Sequence, residues 1–137
     1  MKLISVIKYL VVIFLFASMA CDKVVQDQNF TIGTESTFHL NQLYTSTDGQ
    51  YTFQIQEVND SRCPEGVECF WQGEISLKGE WVSSRSKSSV ELHTVLKNLQ
   101  KEPDGFTIQI VDVKPYPKLG TESKSSELTV TLLIQKK

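Results

Sequence analysis

Hydrophobic and polar positions alternate along most of the chain after residue 29, a pattern typical of strands with one buried face. The clearest alternation runs over residues 71–82. Its apolar face carries Trp71, Gly73, Ile75, Leu77, Gly79 and Trp81, and its polar face carries Gln72, Glu74, Ser76, Lys78 and Glu80. Shorter runs of the same kind predict strands within residues 30–40, 51–58, 90–96, 106–110 and 128–134.

Polar turns separate these runs, for example Thr45–Gly49, Ser83–Ser88 and Pro103–Gly105. No helix of ordinary length is predicted. The fold class is therefore all-β, with about six strands in a single small β-barrel or sandwich. An oligonucleotide-binding-type barrel and an up-and-down barrel both remain open. We expect Gly73 and Gly79, which lie on an apolar face, to mark close backbone approach or a sharp bend.

Residues 1–20 have the features of a secretory signal. Lys2 and Lys8 form a positive region, and residues 10–17 form an apolar core that is too short to span a bilayer. Ala20 and Cys21 then resemble the end of a lipoprotein signal, which predicts acylation of Cys21 by chains such as palmitate. Ser18 and Met19 depart from the usual pattern, and the alternative is ordinary cleavage with Cys21 left as a free thiol.

The expected products of processing are a short polar tether, residues 21–29, and one β domain, residues 30–137. Removing 20 of the 137 residues takes away two lysines and no carboxylate, so the net charge falls from −2 to −4. This charge disfavours nucleic acid as a partner. We expect an exported monomer, held in a bacterial outer membrane by its lipid anchor.

Residues 60–73 hold two of the three cysteines, Cys63 and Cys69. In an exported chain, two cysteines this close usually pair, which predicts one disulfide. In the chain-entropy model, closing the seven-residue loop contributes about 2.4 kcal/mol. A zinc site and a catalytic cysteine are weaker alternatives, because no second pair of thiols and no His lies nearby in the sequence.

The run Asp60-Ser61-Arg62-Cys63-Pro64, followed by Gly66, Val67, Cys69, Trp71 and Gly73, resembles a motif of small bacterial lipoproteins of β fold, most of them uncharacterised. The resemblance covers about fourteen residues closely and the flanking strands loosely. Phe70 and Gln72 depart from the pattern, which favours an aliphatic residue before the Trp and a small one after it. The resemblance implies a β fold and an envelope location, and it implies no activity.

Candidate chemistry is sparse, so we expect no enzymatic activity and no cofactor or metal. His39 and His93 are the only histidines, and both are interpreted as surface or edge residues. Trp71 and Trp81 could stack on a ligand, but their shared apolar face predicts a place in the core. Tyr116 lies between Pro115 and Pro117 on a stiff loop, which suits either a contact residue or packing over the end of the fold.

The favoured hypothesis is a peptidase inhibitor. A disulfide-closed loop loses little entropy when it enters an active-site cleft. The candidate loop residues are Arg62, Pro64, Glu65, Gly66, Val67 and Glu68, with Arg85 and Tyr116 as secondary contacts. Glu65, Glu68 or the Val67 carbonyl could face a catalytic zinc, whereas Arg62 could fill an acidic specificity pocket. The plan is similar to that of the potempins, small surface-anchored bacterial lipoproteins that inhibit secreted peptidases, in size, anchoring and fold.

The alternative is a non-catalytic envelope module that binds a protein or glycan or packs within an assembly. In that case the Cys63–Cys69 bridge is a structural staple and Trp71 fills the core. Residues 60–62 would then form a turn that side-chain hydrogen bonds hold in place. The two hypotheses differ in one structural respect: an inhibitor needs residues 62–68 to protrude, whereas a staple needs them folded against the domain.

Overall fold

The computed structural model describes residues 28–97, 100–103, 105–121 and 124–137. These residues form an all-β domain of two sheets packed as a small sandwich, with one short 3-10 helix at Ser125–Glu127. The predicted fold class is confirmed. The strands are β1 (Asn29–Phe30), β2 (Glu35–His39), β3 (Leu43–Ser46), β4 (Tyr51–Asp60), β5 (Ile75–Ser83), β6 (Lys87–His93), β7 (Phe106–Lys114) and β8 (Thr129–Lys136).

The larger sheet has the order β1-β3-β4-β5-β6, and the smaller has the order β2-β8-β7. All neighbours are antiparallel except β1 and β3, which run parallel. The β4–β5 ladder is the longest, extending from the pair Tyr51–Ser83 to the pair Asp60–Ile75. At about 3.3 Å per residue, its two ends are about 30 Å apart. Loops at opposite ends of this ladder are therefore too far apart to form one contact surface.

The core lies between the two sheets and is rich in aromatic rings. Trp81 is 2% exposed and contacts Phe53 on β4 and Phe106 on β7, with ring centroids 6.2 and 4.9 Å away. It therefore packs against both sheets, and its predicted place in the core is confirmed. A Cβ on Gly79 would lie 2.8 Å from the Gln54 carbonyl oxygen and 3.0 Å from the Phe53 ring, so close approach at Gly79 is confirmed.

The described chain contains eight strands where the pattern predicted about six. The predicted first strand, residues 30–40, is in fact two strands, which lie in different sheets and are separated by a turn at Gly33 with φ of 89°. The strand β3 was missed, because its first residue, Leu43, is exposed and its buried positions are Tyr44 and Ser46. A buried serine does not register as a core position in a hydrophobicity pattern.

The predicted strand over residues 71–82 begins only at Ile75. Gly73 has φ of 72°, a left-handed conformation that turns the chain before the strand starts. Trp71 therefore leaves the face that it would share with Ile75 in an extended strand, and it is 52% exposed. The predicted core position of Trp71 was wrong.

The predicted signal, residues 1–20, and the lipidation site Cys21 lie outside the described residues, as does the predicted tether up to residue 27. Over the ranges that are described, the structure contains no helix long and apolar enough to cross a membrane.

Candidate functional site

The Cys63–Cys69 disulfide is present, with the two Cα atoms 5.9 Å apart. It closes the segment that connects the end of β4 to the start of β5. Inside the ring, the Val67 amide donates to the Pro64 carbonyl at 3.3 Å, and Gly66 has φ of 83°. A positive φ at the third position is the mark of a type II turn, which favours Gly there. The disulfide loop, residues 63–69, thus contains a turn of its own.

The base of this loop is held by hydrogen bonds to the backbone just before β5. The Ser61 amide and hydroxyl donate to the Glu74 carbonyl at 2.9 and 2.8 Å, and the Cys63 amide donates to the Gln72 carbonyl at 3.0 Å. A Cβ on Gly73 would lie 1.8 Å from the Ser61 carbonyl oxygen, so only glycine fits this crossing. The predicted close backbone approach at Gly73 is confirmed.

Arg62 fixes the loop base through its side chain. Its Nε and Nη2 donate to the two Asp60 carboxylate oxygens at 2.9 and 2.6 Å, and both side chains are nearly buried, at 13% and 12% exposed. The Asp60 carboxylate also accepts a hydrogen bond from the Arg62 amide at 3.1 Å. The guanidinium is therefore engaged in the fold and is not displayed to a partner.

A second loop, residues 115–121, packs beside the first and is here named the Tyr116 loop. The Arg62 guanidinium lies over the Tyr116 ring, 4.4 Å from its centroid, and donates to the Pro115 carbonyl at 3.3 Å. The Glu65 amide donates to the Pro117 carbonyl at 3.0 Å, and Glu65 forms an isolated β-bridge with Lys118. The structure thus brings Tyr116 together with the disulfide loop.

Beyond these contacts the segment is exposed. Arg62, Cys63 and Pro64 are partly buried, whereas every residue from Glu65 to Gln72 is exposed. Residues 65–71 are here named the loop tip, and they include the two residues that follow Cys69. In this segment Phe70 is fully exposed, Trp71 is 52% exposed and Val67 is 37% exposed. Leu119 on the Tyr116 loop is 72% exposed. The pair of loops forms an apolar surface on a fixed base.

The two acidic candidates, Glu65 and Glu68, both lie on the loop tip and are exposed. Across the described ranges, no group of three or more His, Cys, Asp or Glu side chains is arranged to hold a metal ion. The exposed carboxylates of Glu65 and Glu68 are oxygen ligands that a metal ion or cation of another molecule could reach.

Arg85 lies far from this surface. It is exposed in the turn between β5 and β6, next to the pair Tyr51–Ser83, whereas the disulfide loop follows the pair Asp60–Ile75. About 30 Å of the β4–β5 ladder separates them. The structure therefore does not join Arg85 to Tyr116 and the disulfide loop in one contact surface.

His93 was predicted to be a surface residue, and this prediction was wrong. Its side chain is 8% exposed, with Nδ1 3.4 Å from Glu74 Oε1 and Nε2 3.7 Å from Glu91 Oε1. The Nε2 atom has no hydrogen-bond partner among the described residues, because 3.7 Å is too long for a hydrogen bond. His93 is the last residue of its strand, and its neighbour Glu74 accepts a hydrogen bond from Leu96 in the segment that follows. His39, by contrast, is partly buried in an outer strand of the smaller sheet, near its predicted edge position.

Glu74 connects this buried histidine to the loop base. Its backbone pairs with Ser61, while its Oε2 accepts a hydrogen bond from the Leu96 amide at 3.1 Å. That bond, aided by the His93 ring and opposed by partial burial, holds the pKa of Glu74 below its usual range. The alternating pattern had assigned Glu74 only to a solvated face, and nothing local in the sequence indicates its role.

Comparison with known proteins gives no further guidance. No family model matches the chain, and neither the curated proteins nor the solved structures include one that matches it significantly.

Proposed function

We propose that this protein is a surface-anchored lipoprotein that inhibits a secreted peptidase, with a metallopeptidase as the favoured target. The disulfide loop enters the active-site cleft of the peptidase. The observation that carries the proposal is the contrast within one short segment: the base is fixed by Arg62 and by backbone pairing to Gln72 and Glu74, whereas the tip is exposed.

A fixed base and an exposed tip suit an inhibitor for an energetic reason. A flexible loop loses conformational entropy when a cleft orders it, whereas a pre-ordered loop loses little. The Cys63–Cys69 bridge and the hydrogen bond from Val67 to Pro64 hold the ring in shape before any partner arrives. The same restraints hinder the chain from adopting the geometry that cleavage requires.

The apolar side chains of the two loops supply the contact surface. Five of the nine exposed large hydrophobic side chains of the described residues lie on these loops: Val67, Phe70, Trp71, Tyr116 and Leu119. Aromatic side chains carry much of the binding energy in protein interfaces. Such a concentration at one end of a small domain supports a protein partner.

The chemistry of the tip favours a metallopeptidase. Glu65 and Glu68 offer carboxylates, and the Val67 carbonyl offers a neutral oxygen, all of which are ligands that zinc accepts. A serine peptidase with an acidic specificity pocket would require Arg62 instead. Arg62 would have to leave a nearly buried ion pair with Asp60 and its contact with Tyr116, so we assign it to the support of the loop.

The position of the N-terminal strand fits presentation of the loop away from an anchor. The Thr45 amide donates to the Gln28 carbonyl at 2.9 Å, and Thr45 pairs with Thr52 on β4. Asp60, at the loop base, lies eight residues further along that strand, which is about 25 Å. A lipid anchor upstream of Gln28 would therefore join the domain well away from the disulfide loop.

The alternative function, a non-catalytic envelope module with the motif as a staple, also has support. Arg62 contacts Asp60 and Tyr116, and Glu65 contacts Pro117. These contacts hold the loop base against the domain, which is what the staple hypothesis expects. This reading accounts for the base of the motif. It leaves the exposed Phe70 and Trp71 without a role, which is why we favour the inhibitor.

The experiment is a titration of the oxidised protein against secreted metallo-, serine and cysteine peptidases, with a Cys63→Ser/Cys69→Ser variant alongside. The proposal expects stoichiometric inhibition of one class, which the variant loses or converts into cleavage within residues 63–69. Inhibition that persists in a folded variant would place the inhibitory site elsewhere. An absence of inhibition across the panel would favour the envelope module.

A further inference from the structure

A concave surface lies at the end of the sandwich opposite the disulfide loop. It occupies about 520 Å³ between the start of β4, the β5–β6 turn and the start of β7, and we name it the hairpin cleft. A volume of this size is in the range of small-molecule sites. Its lining residues are Gln50, Tyr51, Trp81, Ser83, Ser84, Arg85, Ser86, Pro103 and Phe106.

The floor of the hairpin cleft is aromatic and rigid. The Tyr51 ring lies 5.1 Å from the Trp81 ring and 4.9 Å from the Phe106 ring, centroid to centroid. Trp81 and Phe106 are almost fully buried, and Tyr51 is partly buried. The core therefore sets the floor, and the part of it that a ligand can reach is the Tyr51 ring, which packs on Trp81 and Phe106.

The rim of the cleft is polar and already ordered. The Ser83 hydroxyl accepts hydrogen bonds from the Arg85 and Ser86 amides at 3.3 and 3.1 Å, and the Ser83 amide donates to the Ser86 carbonyl at 2.8 Å. These bonds close the turn and set its side chains along the cleft. The hydroxyls of Ser84 and Ser86 and the amide of Gln50 add donors and acceptors at the rim.

Arg85 is the one charged side chain among the described lining residues. Its guanidinium makes no ion pair or hydrogen bond within the described part of the chain, unlike that of Arg62, which is fully engaged. Lys87 on the same hairpin is paired with Glu80 at 2.9 Å. An arginine guanidinium has the geometry to bind a carboxylate through two parallel hydrogen bonds.

We propose that the hairpin cleft binds an acidic sugar. The carboxylate of the ligand pairs with Arg85, its ring lies against the aromatic floor beside Tyr51, and its hydroxyls exchange hydrogen bonds with the serine rim and Gln50. Arginine recognises a carboxylate through two parallel hydrogen bonds, and sugar rings have an apolar face that packs on aromatic side chains. The acidic sugar could be free or part of an envelope polysaccharide, and the chemistry of recognition is the same.

The test is to titrate the purified full-length chain with glucuronate and to monitor binding through the amide chemical shifts in NMR spectra. Glucose and inorganic phosphate are titrated separately. Glucuronate is expected to shift the amides of residues 83–86 and the Trp81 indole saturably, with a dissociation constant in the range of about 1 mM. Glucose and phosphate should each bind on the order of tenfold more weakly, because each supplies only part of the contact. A polysaccharide rich in uronic acid, titrated separately, distinguishes a polymeric from a free ligand.

Two variants make the result decisive. Arg85→Gln should weaken glucuronate binding on the order of tenfold or more, whereas Lys87→Gln, which removes a cation from the same hairpin, should leave it unchanged. Saturable shifts of equal affinity in Arg85→Gln, equal binding of phosphate alone, or no saturable shift at these residues would overturn the proposal. Peptidase inhibition should be unaffected by Arg85→Gln, because the cleft and the disulfide loop lie at opposite ends of the β4–β5 ladder.

Discussion

The Arg62 guanidinium lies over the ring of Tyr116, 4.4 Å from its centroid, and this contact joins two loops that are 54 residues apart in the sequence. The same guanidinium is paired with Asp60 at 2.6 Å. Arg62 thus holds the base of the disulfide loop to β4 and to the Tyr116 loop at once. The exposed tip therefore extends from a base that Arg62 holds in place.

Replacing Arg62 with Ala should destabilise the domain by about 3 kcal/mol, because Asp60 would keep a nearly buried charge without its partner. The matched control is Lys78→Ala, which breaks the exposed Lys78–Glu57 pair and should cost less than about 1 kcal/mol. The free energy of unfolding from urea titrations measures both. Equal losses in the two variants would show that Arg62 does not have the supporting role assigned to it.

The crossing of Gly73 and Ser61 gives a second prediction. Gly73→Ala should destabilise the domain by more than about 4 kcal/mol or prevent folding, since its Cβ would lie 1.8 Å from the Ser61 carbonyl oxygen. Gly66 provides the control, because its φ of 83° is also positive while no atom lies within 4 Å of an added Cβ. Gly66→Ala should cost only the backbone strain, about 1–2 kcal/mol. Thermal unfolding compares the two, and similar melting temperatures would contradict the steric argument.

Removal of the disulfide should affect the loop more than the domain. The Cys63→Ser/Cys69→Ser variant should lose about 2.4 kcal/mol of stability on the chain-entropy model. The sandwich core, which contains neither cysteine, should remain folded. Limited proteolysis should cut residues 65–71 in the variant much faster than in the oxidised protein. Equal cutting rates would mean that the contacts of Arg62 and Glu65 order the loop without the bridge.

The pH dependence of stability should contain a contribution from Glu74. Its pKa is lowered in the folded state, so the folded protein holds its proton less tightly than the unfolded chain. The resulting stabilisation is fully present above the unfolded value of 4.5 and is lost as the pH falls through the lower folded pKa. In Glu74→Gln, unfolding measured from pH 7 to pH 3 should show a smaller loss of stability on acidification than in the parent. Parallel curves would exclude this contribution.

Most strands could be predicted from the sequence because their buried faces are continuous. Phe53 and Ile55 on β4, and Ile75, Leu77 and Trp81 on β5, keep a strict period of two and are all buried. The same rule failed at Trp71, because the positive φ at Gly73 turns the chain between Trp71 and Ile75. Gly73 itself was predicted to mark close approach or a bend, but the alternation was carried through it. The pairing of β2 with β8, such as Phe38 with Val130, joins residues from opposite ends of the domain, and no local signal predicts it.

The candidate site divides in the same way. The disulfide and the close approach at Gly73 could be predicted, because both depend on residues that are near one another in the sequence. The alternative hypothesis had predicted a turn at residues 60–62 held by side-chain hydrogen bonds, and the bonds between Arg62 and Asp60 match it. The contact of Arg62 with Tyr116 could not be predicted, since the two residues are far apart in the sequence. His93 was assigned to the surface because its neighbours alternate in polarity, whereas it is buried beside Glu74, a residue 19 positions earlier in the chain.

The most direct test of the central claim is the inhibition constant of loop-tip variants against whichever peptidase the protein inhibits. The control for Trp71→Asp is Leu43→Asp, which places the same charge at an equally exposed apolar residue outside the loop tip. Both residues are 52% exposed. The account predicts that Trp71→Asp and Phe70→Asp each weaken inhibition about 100-fold, the size of a loss of roughly 3 kcal/mol at an interface centre, while Leu43→Asp has no effect. Unchanged inhibition in both tip variants, with the domain folded, would contradict the claim that the disulfide loop enters the cleft together with the two residues that follow it.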